Sequence, residues 1–323
     1  MNVRSLARAS AICILSQVLL SPVLAFAQDS TVANTRGVQV VPQQNVEIRN
    51  DFQFGPTRFE ITLAPGEQKT VEIQLTSRMG RRSSFHFEQE DFSPSENENE
   101  QTRLYGKLKG PYSAKDWVSP LIGSITLQHS DRAFIPVTIS VPPDADPGDH
   151  YAALLARREL DPGENKGGIA VVSRVGVLFL ITVEGPVQRK GSLVSLTVPK
   201  PFFTETQVPL MLRAKNDGSV RMYPEGDIVI RNILGVAVDR IPVKDWIVLR
   251  NSSRTLTLDW KPAFALGRYT AETTLKVFGE NMDTLSVAFW VVPILPVLLV
   301  LLAIFLVSFL VQYFFSHFEV RKK

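Results

Sequence analysis

Hydrophobic and polar positions alternate along most of the chain. Phe59, Ile61 and Leu63 are separated by single polar residues, and a turn at Pro65-Gly66 follows them. A period of two places successive side chains on opposite faces of an extended strand, so the pattern predicts half-buried antiparallel strands joined by turns. The alternation recurs in the first half of the chain at Val71–Leu75, Phe85–Phe87, Ile135–Val141, from Tyr151 onward and at Arg174–Val183.

A second set of strands follows Glu184-Gly185-Pro186, which we interpret as the start of a linker. Short strands that recur about every 8 to 12 residues are typical of an immunoglobulin-like β-sandwich. We therefore predict an all-β fold of two tandem immunoglobulin-like β-sandwich domains, residues 28–185 and 186–292, plus one C-terminal transmembrane helix. The strand cores predicted for the second sandwich are Leu193–Val198, Val208–Ala214, Ile228–Arg231, Val236–Ile241, Trp246–Leu249, Leu256–Trp260, Tyr269–Val277 and Leu285–Phe289.

The two ends of the chain are apolar rather than alternating. Residues 1–27 combine Arg4 and Arg8 with an apolar run and a small-x-small ending, which is typical of a cleaved secretory signal peptide. Near the C-terminal end, residues 293–315 include 22 consecutive residues without a charge, and a helix of that length can cross a bilayer. The basic tail at 316–323 predicts a cytoplasmic C terminus, so we expect a single-pass protein of the cell membrane with an extracytoplasmic ectodomain.

The charge balance changes once these ends are set aside. The whole chain carries 35 basic and 32 acidic residues, a formal net charge of +3. Without residues 1–27 and 316–323, 30 basic and 31 acidic residues remain, so the basic excess belongs to the targeting segments and gives no reason to expect nucleic acid as a partner. The only cysteine, Cys13, lies in the predicted leader, which excludes disulfides and thiolate chemistry from the mature domains.

Motifs for catalysis or metal binding are missing from the sequence. His86, His129 and His150 are widely spaced and have no neighbouring ligand that would complete a zinc site. No Gly-x-Ser-x-Gly elbow or Ser-x-x-Lys pair indicates a nucleophile. We therefore predict no catalytic residue, no cofactor and no metal site, and a protein that is not an enzyme.

The first domain carries a long insertion, residues 88–124, in which alternation is weak. Its first part, Glu88–Gln101, is acidic and contains no cation. We interpret it as a solvated, self-repelling loop; calcium binding stays open, although the spacing does not fit an EF-hand. Tyr105, Tyr112 and Trp117 follow among glycines and prolines. Aromatic rings on a polar loop suit contact with a carbohydrate or protein ligand, whereas the alternative is that they cap the edge of the sandwich.

Several turn and strand phrases, taken in order, resemble one bacterial family. In the first domain they are Leu63-Ala64-Pro65-Gly66, Asp91-Phe92, Trp117-Val118 and the run Val141–Tyr151; in the second they are Asn216-Asp217-Gly218, Pro224-Glu225-Gly226, Arg254–Trp260 and Gly267–Ala271. With a leader before them and one membrane helix after them, they resemble the WxL-interacting proteins of bacterial cell surfaces. The resemblance implies a first sandwich associated with peptidoglycan and a second that binds a protein. An immunoglobulin-like resemblance to pilus-assembly chaperones is weaker, because those proteins lack a membrane anchor.

The leading hypothesis is a membrane-anchored, non-enzymatic surface protein that holds peptidoglycan or another cell-wall polymer, a partner surface protein, or both. The alternative is an anchored enzyme that modifies wall polysaccharide with carboxylates of the acidic insertion, and alanine substitution of Glu88, Glu90 and Asp91 would separate the two hypotheses. Signalling through the helix is a third possibility, but the eight-residue tail would require a membrane partner.

Overall fold

The computed structural model describes residues 37–95, 102–160, 173–205 and 207–317. The predicted signal peptide and the last six residues of the predicted tail lie outside the described residues. The described chain forms two β-sandwiches followed by one helix, which confirms the predicted fold class. The strands of the first sandwich are β1 (Gln39–Pro42), β2 (Asp51–Gly55), β3 (Arg58–Leu63), β4 (Gln68–Arg78), β5 (Ser83–Glu90), β6 (Phe92–Pro94), β7 (Thr102–Leu104), β8 (Val118–Pro120), β9 (Ser124–Leu127), β10 (Asp131–Ser140), β11 (Gly148–Arg158) and β12 (Arg174–Val183).

Two facing sheets form the first sandwich. One has the order β1-β10-β4-β2, with β8 also on β10, and the other has the order β3-β12-β11-β5-β9. All pairs are antiparallel except β3 with β12. The inward residues of both sheets make one core, in which the Phe52 and Phe85 rings meet at 5.1 Å between centroids and the Phe54 and Phe87 rings at 5.7 Å. Each fully buried ring or aliphatic side chain of this kind contributes about 1.5 to 3 kcal/mol, so the core holds the domain without cystines.

The second sandwich repeats this architecture on a smaller scale. Its sheets have the orders β13-β15-β18 and β14-β21-β19-β16-β17, with β20 beside β19. Trp260 joins them, since its ring contacts Tyr269 at 4.9 Å and Phe289 at 5.8 Å. The strands are β13 (Gly191–Thr197), β14 (Phe202–Phe203), β15 (Val208–Asn216), β16 (Glu225–Asn232), β17 (Ala237–Val243), β18 (Ser252–Trp260), β19 (Gly267–Val277), β20 (Glu280–Asn281) and β21 (Ser286–Val291).

The segment Trp246–Leu249 is not a strand, and that prediction is wrong. Trp246, Ile247 and Val248 are all buried, so the run is as apolar as a core strand. However, Val248 makes only one pair of backbone hydrogen bonds, with Met222, at 2.9 Å in both directions. This apolar segment therefore packs into the core without pairing as a strand of either sheet.

The insertion of the first domain folds back over the outer face of the β11 sheet. Phe92 of β6 and Tyr151 of β11 lie in a small second core with rings 5.3 Å apart. The backbone N–H of Tyr151 donates to the carbonyl of Tyr112 at 2.9 Å. Strand β11 is consequently buried on both faces from Gly148 to Ala156, which positions the insertion between the first sandwich and the second.

One helix, α1 (Ile294–His317), follows the last strand after two residues. Its stretch Leu298–Ser316 is long and apolar enough to cross a membrane, and none of this stretch is buried inside the protein. The 24 residues span about 36 Å at the helical rise of about 1.5 Å per residue, against a hydrocarbon thickness of about 30 Å.

Candidate functional site

The two sandwiches meet where the turn before β11 contacts the turn after β15. Gly148 lies against Ser219, and a Cβ on Gly148 would be 2.5 Å from the Ser219 carbonyl oxygen. With φ of +115°, Gly148 also has a backbone conformation that other residues rarely adopt. The next residue, Asp149, donates its N–H to the same carbonyl at 2.9 Å. The close approach of the two turns therefore requires glycine at position 148.

The carboxylate of Asp149 is completely buried at this junction and accepts hydrogen bonds from both domains. From the second domain, Arg221 donates its backbone N–H at 2.7 Å and its Nη1 at 3.0 Å. From the first, the Thr182 hydroxyl donates at 2.6 Å and the Tyr151 hydroxyl at 3.3 Å. A buried carboxylate has lost its hydrogen bonds to water, so it is stable only when protein donors replace them. The four donors around Asp149 supply this compensation.

The charges around Asp149 extend the junction to the domain surface. Burial has the largest single influence on Arg221 and would lower its pKa. The neighbouring Asp149, Tyr223 and Glu60 together outweigh burial and raise that pKa above its ordinary value. The Tyr223 hydroxyl donates a hydrogen bond to the Glu60 carboxylate. Burial would raise the pKa of Glu60, but this hydrogen bond and the charge of Arg221 lower that pKa below its ordinary value. Burial, followed by the hydrogen bond to Glu60, raises the pKa of Tyr223 to about 12. Both domains are thus joined by one network of alternating charges.

Alkaline conditions should weaken this junction. The pKa of Tyr223 is higher in the folded protein than its ordinary value of 10.0, so its contribution to stability is complete below pH 10 and is lost as the pH rises from 10 to about 12. We expect the melting temperature of the full chain in detergent to exceed that of Tyr223→Phe below pH 10 and the difference to shrink by pH 12. The effect should be about 1 kcal/mol or less, because Tyr223 is partly exposed. A difference independent of pH would contradict the assignment.

Beside the junction lies a cleft of about 1070 Å³ that both domains line. The first domain contributes Tyr105 and Tyr112 of the insertion, and the second contributes the segment from Leu249 to Thr257. The cationic lining residues outnumber the anionic ones: Arg58, Arg213, Lys215, Arg250 and Arg254, against Asp217 and Asp245.

Arg250 is fixed in the cleft by contacts with the first domain. Its guanidinium carbon lies 4.0 Å from the centroid of the Tyr112 ring, a close cation–π contact. Its Nη1 donates to the backbone carbonyl of Asp149 at 3.0 Å, and its own N–H donates to the Tyr151 hydroxyl at 3.0 Å. Asn251 completes the contact by donating Nδ2 to the Tyr112 hydroxyl at 2.7 Å. This arrangement holds a cation and an aromatic ring together at the cleft wall.

Arg254 is a second arginine of the cleft that is held by a contact with the protein. Burial lowers its pKa below the ordinary value, and its Nη1 donates to the backbone carbonyl of Ile247 at 2.8 Å. Among the described residues, neither Arg254 nor Arg250 forms an ion pair with a carboxylate. Two partly buried guanidinium groups without a counter-charge favour an anionic ligand, because carboxylate and phosphate oxygens accept strong charge-assisted hydrogen bonds.

The structure brings together two of the three aromatic residues that the sequence suggested as ligand contacts. Tyr105 and Tyr112 both line the cleft, and Tyr105 is held by a 3.1 Å hydrogen bond to the Ser93 hydroxyl. Trp117 lies elsewhere, packed on the first core with its ring 4.6 Å from that of His150. We therefore assign Trp117 to packing, the alternative already considered for it, while ligand contact by the two tyrosines stays a prediction.

The first carboxylates of the acidic stretch are not in a solvated loop, and that interpretation is wrong for Glu88, Glu90 and Asp91. Strand β5 continues to Glu90, and its two glutamates pair with arginines of the same sheet: Arg157 of β11 lies 3.2 Å from Glu88, and Arg174 of β12 pairs with Glu90. The remaining acidic residues, Glu96, Glu98 and Glu100, lie outside the described residues.

Asp91 organises the insertion from the inside. Its fully buried carboxylate accepts the backbone N–H groups of Gly110 at 3.0 Å, Ala114 at 3.0 Å and Lys115 at 2.9 Å. It therefore acts as a structural anion and not as an exposed acid. Within the described ranges no group of three or more His, Cys, Asp or Glu side chains is arranged to hold a metal ion.

Sequence reasoning missed Asp149, Arg221, Arg250 and Arg254. The pairing of Asp149 with Arg221 joins residues 72 positions apart, and no local periodicity marks such a contact. One signal was present: the run Tyr151–Ala156 is apolar without alternation, which is typical of a strand covered on both faces. That run could have indicated that something packs on the outer face of β11.

Comparison with known proteins adds a likeness of fold. No protein-family model and no curated protein matches the chain. Solved structures with similar folds include the class 5 fimbriae chaperone CfaA, at 10% identity over 74% of this chain and 99% of that one, with a TM-score of 0.36. Others are the CsuC-CsuE chaperone complex of Acinetobacter baumannii, at 10% identity over 75% and 99% with a TM-score of 0.37, and the Pseudomonas aeruginosa chaperone CupB2, at 12% over 74% and 100% with a TM-score of 0.31. At these values the likeness concerns the β-sandwich fold alone.

Proposed function

We propose that this protein is a membrane-anchored, non-enzymatic binding protein of the cell surface, which holds an anionic partner in the cleft between its two sandwiches. The observation that carries the proposal is the pair Arg250 and Arg254, both partly buried in the cleft and without a carboxylate partner among the described residues. A ligand that brings carboxylate or phosphate groups would supply the missing counter-charge.

Anchoring is supported by the apolar helix and by the predicted leader. Helix α1 has the length and composition of a membrane span, and residues 1–27 have the features of an export signal. Together they support a single-pass topology with the cleft on the outer side of the membrane. Confinement near the envelope raises the effective concentration of the partner, so that modest contacts suffice for binding.

Among surface partners, we favour an anionic cell-wall polymer such as peptidoglycan. Its sugar rings present faces that stack on tyrosine, and its peptide stems carry carboxylates for arginine. Tyr112 lies against Arg250, and Tyr105 lines the same cleft, which supports such mixed recognition. The resemblance to WxL-interacting proteins points in the same direction and likewise allows a protein partner.

The alternative of a wall-modifying enzyme depends on the carboxylates of the acidic insertion, and the structure describes Glu88, Glu90 and Asp91 of its acidic stretch. Glu88 and Glu90 pair with arginines of β11 and β12, and Asp91 is buried among backbone donors. A general acid or base must reach its substrate, and these three groups are engaged in holding the domain together. Binding is therefore the better-supported function.

Sedimentation with purified peptidoglycan sacculi tests the proposal. The full chain, solubilised in mild detergent, should cosediment with sacculi, and the double variant Arg250→Gln/Arg254→Gln should bind at least about tenfold more weakly, since each charge-assisted hydrogen bond contributes about 1.5 to 3 kcal/mol.

Arg240→Gln is the matched control, because Arg240 is an exposed arginine on β17 of the same domain and does not line the cleft. It should bind as the unaltered protein does. Equal loss in the control and in the cleft variant would mean that binding depends only on overall charge. Undiminished binding of the cleft variant would place the site elsewhere.

A further inference from the structure

The second sandwich has two ends, and strand register assigns each loop to one of them. Gly267, the first residue of β19, pairs with Val291, the last residue of β21. Asn232, the last residue of β16, pairs with Tyr269 of β19, which in turn pairs with Phe289. The turn after β16, the loop before β19 and the end of β21 therefore lie at the end from which helix α1 starts. The opposite end of the domain makes the junction with the first sandwich.

Large apolar side chains are exposed at the helix end. In the turn after β16, Ile233 is 69% and Leu234 is 81% exposed, and Phe264 in the loop before β19 is 64% exposed. Phe202 of β14, which pairs with Trp290, is 61% exposed and stacks on that ring at 6.4 Å. We call the following six side chains the lipid rim: Phe202, Ile233, Leu234, Phe264, Leu266 and Trp290.

The turn that carries Ile233 and Leu234 is rigid. The Asn232 side-chain oxygen accepts hydrogen bonds from the N–H groups of Leu234 at 3.0 Å and Val236 at 3.1 Å. The backbone carbonyl of Asn232 accepts a further hydrogen bond from the N–H of Gly235 at 2.9 Å. Arg231 also donates to the Gly235 carbonyl at 3.0 Å. These bonds hold the two aliphatic side chains outward, so they do not collapse onto the domain to escape water.

The connection to the helix is short and stiff. The N–H of Val292 still donates to the Phe203 carbonyl at 2.8 Å, which leaves only Pro293 before Ile294, the first residue of α1. Two extended residues span at most about 7 Å, and the turn at Ile233 is displaced from β21 by two strand spacings, about 10 Å. If α1 spans the bilayer, the lipid rim must lie at the height of its interfacial layer.

We propose that the lipid rim inserts into the interfacial layer of the bilayer, so that the second sandwich is seated on the membrane surface. This inference rests on the proposed anchoring by α1. The occupant is lipid because the rim is continuous with the apolar helix, and because tryptophan and other aromatic side chains favour the interface. Strand β19 runs the length of the domain with 11 residues, which corresponds to about 35 Å. A domain seated on the membrane therefore holds the cleft at about this height and in a fixed orientation.

Fluorescence quenching in nanodiscs tests the seating. The full chain on a Cys13→Ser background receives one cysteine for an environment-sensitive fluorophore, at Leu234 in the rim, Leu306 in the helix or Leu108 on the first domain. Leu108 is a matched control because it is a leucine that is 72% exposed. In phosphatidylcholine nanodiscs with nitroxide-labelled lipids, we expect a blue-shifted, quenched signal at Leu234→Cys, from a depth of about 5 to 10 Å, and no quenching at Leu108→Cys.

The three sites separate the possible outcomes. Quenching at Leu306→Cys with a water-like, unquenched signal at Leu234→Cys would overturn the seating and leave the anchor standing. A blue-shifted but unquenched signal at Leu234→Cys would mean that protein, such as a second copy, covers the rim, which also overturns it. Absence of quenching at Leu306→Cys would contradict the membrane anchor itself, and the inference with it.

Discussion

Replacing Asp149 with alanine should destabilise the protein by about 3 to 5 kcal/mol, because the largely buried guanidinium of Arg221 loses its closest counter-charge and keeps only Glu60, 3.5 Å away. The Arg221 N–H and the Thr182 hydroxyl lose their acceptor at the same time. We expect a large fall in melting temperature of the full chain in detergent, measured by circular dichroism. Because the lost bonds join the domains, the transition should also split into two steps.

Two further variants separate the charge from the hydrogen bonds. Asp149→Asn keeps the shape and one acceptor, so it should cost less than the alanine variant. The double variant Arg221→Met/Asp149→Leu removes both charges. Its loss of stability should be smaller than the sum of the losses measured for Arg221→Met and Asp149→Leu alone. Additive costs, or a loss below about 1 kcal/mol for Asp149→Ala, would show that the pair does not join the domains.

Asp91→Ala is expected to have the second-largest effect, about 2 to 4 kcal/mol, because three buried or partly buried backbone N–H groups lose their acceptor. The bonds arrange the insertion that carries Tyr105 and Tyr112. The variant should therefore lose binding to sacculi together with stability, although Asp91 is buried and does not line the cleft. Unfolding in denaturant and sedimentation with sacculi measure the two effects.

Glu88→Ala serves as the matched control for this prediction. Glu88 lies three residues before Asp91 and pairs with Arg157 at 3.2 Å, but its side chain is 42% exposed. Removing an exposed ion pair should change stability by less than about 1 kcal/mol. If both variants were equally mild, the buried carboxylate would not be the organiser of the insertion.

The sequence predicted the sandwich strands where one face is buried and the other is wet. Phe59, Ile61 and Leu63 illustrate this, since a single pleat sorts their side chains to the inside or the outside. The prediction failed where burial does not alternate. Trp246–Leu249 is apolar on all sides and is no strand, and β11 is covered on both faces.

The candidate site was less accessible to sequence reasoning than the strands. Tyr105 and Tyr112 were identified because aromatic rings are unusual in a polar insertion. Arg250 and Arg254 carry no local signature: each occupies an ordinary position near β18, and only the packing of the two domains places them at one cleft. Strand register likewise decides whether a charged side chain such as that of Glu88 faces solvent or pairs with an arginine, and composition does not determine the register.

Photocross-linking from the cleft in intact cells tests the central claim most directly. A benzophenone amino acid in place of Tyr105 should yield an adduct that contains wall polymer, recognised by its amino sugars, or one defined surface protein. The same group in place of Leu121, which is exposed on the first domain and does not line the cleft, should yield neither. Adducts of equal kind and amount from both positions, or none from position 105, would contradict a binding site between the two sandwiches.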